Sequence, residues 1–577
     1  MTRCADPSRR TGVRLLSVSL TLLALAISGL ASAASMMDYQ PVTKDRLLNA
    51  QQDDGWLMYR RSYDSKGYAP FDQITPDNVS HLKVAFTYKT GLNQGHEAAP
   101  IVNGQYMFIT TPMDHLIAMN AKTGKVLWTY VKDIPKKALK TVCCDVVNRG
   151  VALYGDMVYM ATIDNHVVAL KATTGEVQWD QELQGAGLGY AMTLAPLVVD
   201  GNIVVGEAGG EFGARDFIAA LDAKTGKLAW KRYTVPTPDE PNGDTWPEGA
   251  YKHSGSPAWL TGSYDPETDT LFWGVGNPGP WLARLRPGKN LYSDSLLALN
   301  PQNGDIKWHY QYTSNDSWDY DGVNHAVLTD IQYKGKTVKA LLHADRNGWF
   351  YALDRTNGDF LWAKPFVKVK SVTGHKPDGT PIEDDSLRPD VGKKIFTCPS
   401  ALGGKNWWPM SVNPKTGMAY VPTLHMCWDL EGTTVNYQAG LPYLGEKWTW
   451  KPEPGSDNYG EVQAIDINTG KQVWSHKTHL PWNGGMVSTA SGLVFSGGLD
   501  RHFYAFDGKT GKVLWKSNEL SSGVIGVPTT YMVDGKQYVA VYAGYGGVFG
   551  LYGQSVTGET SDNQMARGGQ LYVFTLE

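Results

Sequence analysis

The chain has 577 residues, 42% of them hydrophobic, with 53 Lys and Arg against 57 Asp and Glu for a formal charge of −4. Such mild acidity argues against nucleic acid as a partner and leaves a basic redox protein admissible. The length would hold three or four ordinary domains or one long domain of repeats, and nothing between the repeats reads as a Gly/Ser-rich or Pro-rich linker.

Residues 1–33 read as a cleaved signal peptide. Arg3, Arg9, Arg10 and Arg14 precede an apolar run from Leu15 to Leu30, and Ala31-Ser32-Ala33 supplies the small-residue cleavage site. The run is short for a membrane span and closely followed by that site, so an uncleaved anchor is the alternative reading; no other stretch is long enough. Cleavage would remove four Arg and Asp6 and leave residues 34–577 at −7, exported to a bacterial periplasm. Ser8-Arg9-Arg10 is compatible with a twin-arginine route, without support from the residues that follow.

Seven near-identical segments come next: Ala118 to Trp128, Ala169 to Trp179, Ala220 to Trp230, Ala298 to Trp308, Ala352 to Trp362, Ala464 to Trp474 and Ala505 to Trp515. In each, Ala and an apolar residue lead into Asp or Asn in most copies, then Thr-Gly or Asn-Gly, and Trp closes the segment. Gly tolerates the positive φ of a tight turn and the flanks are β-formers, so each segment predicts a hairpin. A hairpin repeated with a fixed aromatic predicts a β-propeller or another stacked array. The Trp-to-Trp intervals are 51, 51, 78, 54, 112 and 41 residues. The longest is expected to hide an eighth, degenerate copy at Ser411 to Tyr420, which keeps the turn and loses the Trp. Residues 231–297 and 364–408 are the insertions where chemistry is expected, because loops on a rigid scaffold carry sites.

Cys4 falls in the leader, leaving Cys143, Cys144, Cys398 and Cys427. An even count in an oxidising compartment predicts two disulfides, with Cys398–Cys427 as an ordinary staple. Adjacent cysteines at 143 and 144 are unusual partners, because neighbouring Cα atoms lie closer than disulfides normally allow. There is no Cys-x-x-Cys-His, so no covalent haem is expected on this chain.

Three polar positions stand among small or aromatic residues: Glu211 in Gly209-Gly210-Glu211-Phe212-Gly213, Asn277 in Gly276-Asn277-Pro278-Gly279, and the carboxylates of Asp316, Asp319 and Asp321. In an extended segment Asp319 and Asp321 share a face, and two like charges there call for a cation or a shared proton. The plainer alternative is that Asp321-Gly322 is a turn and Asp319 a solvated loop carboxylate.

With these elements together the chain resembles the pyrroloquinoline-quinone (PQQ) dependent alcohol dehydrogenases of the methanol/ethanol type, over essentially all of residues 34–577. The resemblance rests on the repeated segment, Cys143-Cys144, Gly-Glu-Phe-Gly, Gly-Asn-Pro and Trp-Asp-Tyr-Asp-Gly. It implies an all-β, eight-bladed propeller with PQQ in a covered pocket on its axis. A Cys143–Cys144 disulfide would form a lid over the quinone, and Trp259 would stack beneath it. Glu97, Arg149, Thr193, Gly209, Gly210, Asn406 and Trp407 match cofactor-holding positions; Arg suits carboxylates through its planar fork. Glu211, Asn277 and Asp319 match ligands of a hard, oxygen-seeking ion. Asp319 matches the general base, and Arg346 the group that stabilises charge on the quinone oxygens.

Asp321 points to the lanthanide-dependent branch: a trivalent ion needs one more anionic oxygen than Ca²⁺, the alternative metal. Two departures stand out. Trp482 lies one place earlier than in methanol dehydrogenase-like relatives, and Val548 replaces a Trp that commonly narrows the substrate pocket. The implied activity is oxidation of primary alcohols to aldehydes, with electrons passed to a c-type cytochrome; a homodimer is admitted. The rivals are a calcium-dependent ethanol-type enzyme and a non-catalytic propeller scaffold.

Overall fold

In the computed structural model, which describes residue 37, residues 39–550 and residues 568–577, each of the seven repeated segments is a hairpin. The Ala of each copy pairs directly with the Trp of the same copy, from Ala118↔Trp128 through Ala505↔Trp515, and the register shifts beside that pair every time. The turns use local chemistry. In the first copy Asn120 Oδ1 accepts from the backbone N–H of Lys122 at 3.0 Å and of Thr123 at 2.9 Å. The turn glycines, Gly124 to Gly511, hold φ between 67° and 84°.

The hairpins are the outer parts of larger sheets. Among the described residues, seven four-stranded sheets and one five-stranded sheet follow one another along the chain. The first comprises Ile101–Asn103, Tyr106–Thr111, His115–Asn120 and Val126–Val131; its second strand is wholly buried and its last mostly exposed. The others span 152–182, 197–233, 263–311, 327–365, 411–478 and 487–516; the eighth joins 529–576 to Leu82–Lys89. Chain ends thus share a sheet, with Leu82–Lys89 antiparallel to Gln570–Leu576.

Aromatic docking links each sheet to the next. Trp128 Nε1 donates to Ala172 O at 3.0 Å, Trp179 to Ala223 O at 3.1 Å, Trp230 to Pro301 O at 2.9 Å and Trp474 to Gly508 O at 2.9 Å. Each indole also lies flat on the next copy's turn glycine; a Cβ added at Gly304 would come within 2.5 Å of Trp230. Phe86 takes the Trp's place against Gly124, so the eighth sheet docks on the first and the ring closes. The all-β propeller reading is borne out. The expected eighth copy is not: Ser411–Asn413 and Met418–Leu424 are the first two strands of the sheet that also holds Ala464 to Trp474. The 112-residue interval is long because residues 366–410 precede this sheet and residues 425–459 leave it between its second and third strands, which still pair directly. A three-stranded sheet takes its first strand, Lys394–Thr397, from the 364–408 insertion and its other two, Met426–Gly432 and Glu446–Pro452, from the chain between Leu424 and Gly460; the Cys398–Cys427 disulfide ties the end of the first strand to the central one.

The segment 56–69 ties the first strands of several sheets. Its hydrogen bonds run from Trp56–Val102 through Tyr63–Tyr264, Asp64–Leu328 and Lys66–Val412 to Gly67–Ser488. Tyr59 enters an axial core with Ala99, Ala195, Leu260, Val323 and Trp407, contributed by successive parts of the ring. All these elements belong to one compact unit, residues 38–577. The signal-peptide reading of residues 1–33 lies outside the described residues. Among the described residues no helix is long and apolar enough to cross a membrane.

Candidate active site

A cavity opens where the first strands of the sheets begin. Its position explains which sequence elements converge. Arg149, Thr193, Trp259, Asp319, Asp321, Asn406 and Trp407 each lie a few residues before a first strand, while Glu211 and Arg346 lie on turns between second and third strands. Cys143 and Cys144 come from the loop between the first two sheets and form a disulfide that borders the cavity. Of the predicted residues, Glu97 and Gly209 also line it, and Gly210 and Asn277 stand directly behind the lining. A Cβ on Gly210 would meet Pro257 at 3.0 Å and Asn277 Oδ1 at 3.4 Å, so a side chain there would crowd both.

One wall is built on arginine. Arg149 Nη2 pairs with Glu97 Oε2 at 2.7 Å, and its Nη1 donates to Thr193 Oγ1 at 2.7 Å and Thr193 O at 3.2 Å. The guanidinium lies 4.9 Å from the Trp259 ring and 4.8 Å from the Trp407 ring. Burial pushes the Glu97 carboxyl up to about 7, against the pull of Arg149. Asn406 closes its own loop: Nδ2 donates to Leu402 O at 3.1 Å and Oδ1 accepts from Trp407 N at 2.9 Å.

The opposite wall is acidic. Asp316 is not part of it: its oxygens accept from Trp318 N and Tyr320 N at 2.9 Å each, and so shape the loop. Asp319 and Asp321 do converge, although not on an extended strand; Asp319 has φ 58° and the segment is a loop. Arg346 lies between them, with Nη1 3.2 Å from Asp319 Oδ2 and Nη2 2.9 Å from Asp321 Oδ2. Asp321 also accepts from Trp259 Nε1 at 3.1 Å and from Asn277 N at 2.8 Å. It fits because residue 276 is glycine; a Cβ there would overlap Asp321 Oδ1. Burial raises the Asp319 carboxyl well above its ordinary value; Arg346 opposes this, while Asp321 and Glu211 add to it. The solvated-loop alternative for Asp319 is excluded, since it is 8% exposed.

One terminal atom of the Asn277 amide lies 3.3 Å from Asp319 Oδ1 and 3.1 Å from Asp321 Oδ1, and the other 2.8 Å from Trp281 Nε1. With nitrogen toward the carboxylates all three contacts are hydrogen bonds; with oxygen toward them the amide NH2 faces the Trp281 Nε1–H donor, and the three oxygens form one side of a site that only a cation would satisfy. Glu211 stands apart from this knot. Its carboxylate and the Cys143 and Cys144 sulfurs lie within 4.8 Å of one another, and no such grouping of Glu211 with Asp319 and Asp321 occurs among the described residues. Sulfurs already joined in a disulfide are not metal ligands, so that trio is a pocket wall. Burial, with Asp321, pushes the Glu211 carboxyl up to about 7.

The sequence reading missed Trp281, Trp448 and Trp450, which line the cavity. Trp448 and Trp450 alternate on one strand of the three-stranded sheet, and that period-two pattern between charged residues was the available signal. Trp428 stacks on Trp450 at 5.6 Å and supports this aromatic wall. Val548 does line the cavity, where the substrate was expected. Trp482 does not. It is buried between the sheets against Tyr504 and Phe506, with Nε1 donating to Ser496 Oγ at 2.8 Å.

Residues 56–380 and 379–539 match the family described as "PQQ: Glucose/ethanol/alcohol dehydrogenase, beta-propeller domain". The chain is 39% identical to the quinoprotein alcohol dehydrogenase PedH of Pseudomonas putida, over 97% of each chain. It is 38% identical to the lanthanide-dependent methanol dehydrogenase of Methylacidiphilum fumariolicum, over 96% of this chain and 97% of that one. Among solved structures, a europium-containing methanol dehydrogenase superposes with a TM-score of 0.89 at 37% identity, covering 92% of this chain and 100% of that one. Sequence, fold and relatives agree over nearly the full length: the chain belongs to the family of PQQ-dependent quinoprotein alcohol dehydrogenases.

Proposed function

We propose that this protein is a periplasmic dehydrogenase that oxidises primary alcohols to aldehydes with PQQ and a lanthanide ion, and passes electrons to a separate c-type cytochrome. The carrying observation is the convergence of Asp319, Asp321 and Asn277 beside Arg346 and Trp259. The pocket suits a flat polyanion. Trp259 offers an indole face, and Arg149 and Arg346 each keep a buried Nε–H without a partner among the described residues. Arg149, Glu97, Thr193, Asn406 and Trp407 would hold PQQ, with Gly209 and Gly210 allowing close approach. Asn277, Asp319 and Asp321 would hold the ion, and Glu211, which in this structure faces the Cys143–Cys144 disulfide, would complete the set by turning its carboxylate toward them.

The chemistry that bound PQQ and its metal supply is acceptance of a hydride from the carbinol carbon. The chain contributes the rest. Asp319 takes the alcohol's hydroxyl proton; its raised proton affinity suits a base in a dry pocket. Arg346 keeps Asp319 oriented and offsets negative charge nearby. The Trp281, Trp448 and Trp450 wall excludes water and packs on the substrate, and Val548 leaves room for alcohols larger than methanol.

Export rests on the leader at residues 1–33, and the separate cytochrome on the lack of a haem-attachment motif. Calcium is the second reading, and the Asp321–Arg346 pair favours it, because that arginine already meets one of the three negative charges. Dye reduction by apo-protein reconstituted with PQQ and either calcium or a light lanthanide, across an alcohol series, tests both readings. Activity with calcium alone would refute the lanthanide assignment, and no activity with any primary alcohol would refute the reading as a whole.

A further inference from the structure

Two strands of the three-stranded sheet, Met426–Gly432 and Glu446–Pro452, form the hairpin that brings Trp448 and Trp450 to the cavity; the third, Lys394–Thr397, comes from the segment between the 327–365 and 411–478 sheets. The chain leaves the ring after Leu424, enters the strand Met426–Gly432, and comes back through Glu446–Pro452 to the ring strand Gly460–Asp466. His425 is the single residue between the outgoing strands. Its Nδ1 lies 3.2 Å from Glu453 Oε2, just past the returning strand, and its Nε2 lies 2.9 Å from Glu461 Oε2 on the ring strand. Glu461 is fixed in turn by Gln463 Nε2 at 2.7 Å, and Gln463 reaches Phe366 O of the neighbouring sheet at 2.8 Å. One imidazole therefore bridges both crossings between this hairpin and the ring.

We propose that His425 is a positioning residue: as an imidazolium held between Glu453 and Glu461 it clamps this hairpin and so fixes the aromatic wall of the substrate pocket. Imidazolium suits this role because it presents two N–H groups on opposite edges of a rigid plane, and both bonds are charge-assisted. Transmission to the pocket is short. Glu453 follows Trp450 by three residues, and Leu424 and Met426, on either side of His425, pack in the axial core with Trp407, Trp450 and Val548. Charged or titratable groups on the surrounding elements include Lys451, Glu453, Asp457, Tyr459, Glu461, its cross-strand partner Lys477, and His479. Of these, Glu453 and Glu461 contact the imidazole. Burial works against its charge, but the two carboxylates outweigh burial and hold the ring's pKa at about 9. Because that value lies above the unfolded one, the clamp is complete below about 6.5 and is lost as pH rises through about 9.

This inference rests on the alcohol-dehydrogenase reading for its kinetic arm alone. The experiment uses full-length protein reconstituted with PQQ and metal, with H425Q and the milder E453Q beside wild type. Hydrogen exchange of residues 426–452 should quicken roughly tenfold in both variants, the scale of losing a charge-assisted bond. With a primary alcohol, KM should rise about five- to tenfold while kcat stays within about twofold, since Asp319 and Arg346 lie on the ring. Wild type should show the same KM rise above about pH 9, and H425Q should not. Exchange equal to wild type in E453Q, or a KM rise equally steep with pH in wild type and H425Q, would overturn the clamp. If H425Q does not fold, E453Q decides by the same two readouts. Wild type that oxidises no alcohol would sink the enzymatic reading, and hydrogen exchange would still decide the clamp.

Discussion

Arg346 and Asp321 form an ion pair at 2.9 Å inside the pocket, with side-chain exposures of 8% and 4%. The pair joins the residue proposed to mark a trivalent ion to the cation that competes with that ion for charge. Removing a carboxylate here changes both the ion's ligands and the freedom of the guanidinium.

Asp321→Ala should abolish turnover with lanthanum or cerium and leave, or improve, turnover with calcium. Two carboxylates, Glu211 and Asp319, suffice for a divalent ion beside a PQQ carboxylate, and the third is needed for charge balance at a trivalent one. Turnover of PQQ-reconstituted wild type and mutant with each metal measures this. An unchanged metal response in the mutant would remove Asp321 from the site.

Asp319→Asn should retain PQQ, read from the absorbance spectrum, and lose at least about a hundredfold in turnover, the scale of a lost general base. Near-normal turnover in fully loaded mutant would assign the proton transfer elsewhere.

Replacing Cys143 and Cys144 together by Ala should leave the melting transition nearly in place, because a cross-link between neighbours encloses almost no loop. The effect should fall on the cofactor: the disulfide borders the cavity and faces Glu211, so PQQ should dissociate faster on dilution. Unfolding of the double mutant would show the pair to be structural instead.

Gly304→Ala tests the ring. The residue has φ 73°, and its Cβ would stand 2.5 Å from the Trp230 indole. Backbone strain and overpacking together should lower stability by about 1–3 kcal/mol. Below the melting transition kcat should be unchanged, because the docking seam is remote from Asp319. A mutant as stable as wild type in denaturant titration would contradict the docking account.

Much of the site was legible because short motifs carry local geometry with them. Gly276 stands directly before Asn277, and its missing Cβ makes space for Asp321. Asp319 and Asp321 were readable as a pair, although the loop that brings them together follows from Asp316 holding Trp318 N and Tyr320 N, a pairing no spacing rule supplies. Trp281, Trp448 and Trp450 went unread because an aromatic in a Trp-rich propeller looks the same whether it packs a sheet or faces a cavity. Trp482 shows the reverse case, a motif tryptophan that belongs to the core.

The sequence by itself determined the repeated unit. Asx-turn chemistry, positive-φ glycine and the Ala–Trp pair are properties of eleven consecutive residues, and they force the same hairpin seven times. Tertiary structure alone decided how the ring closes and what covers its axis. Leu82–Lys89 joins a sheet with Gln570–Leu576, Phe86 docks where a Trp would, and the chain leaves the 411–478 sheet between its second and third strands, which still pair, to build the pocket's aromatic wall. These contacts join residues from tens to several hundred positions apart. Their free energy comes from burying faces against distant neighbours and is not encoded in any local window.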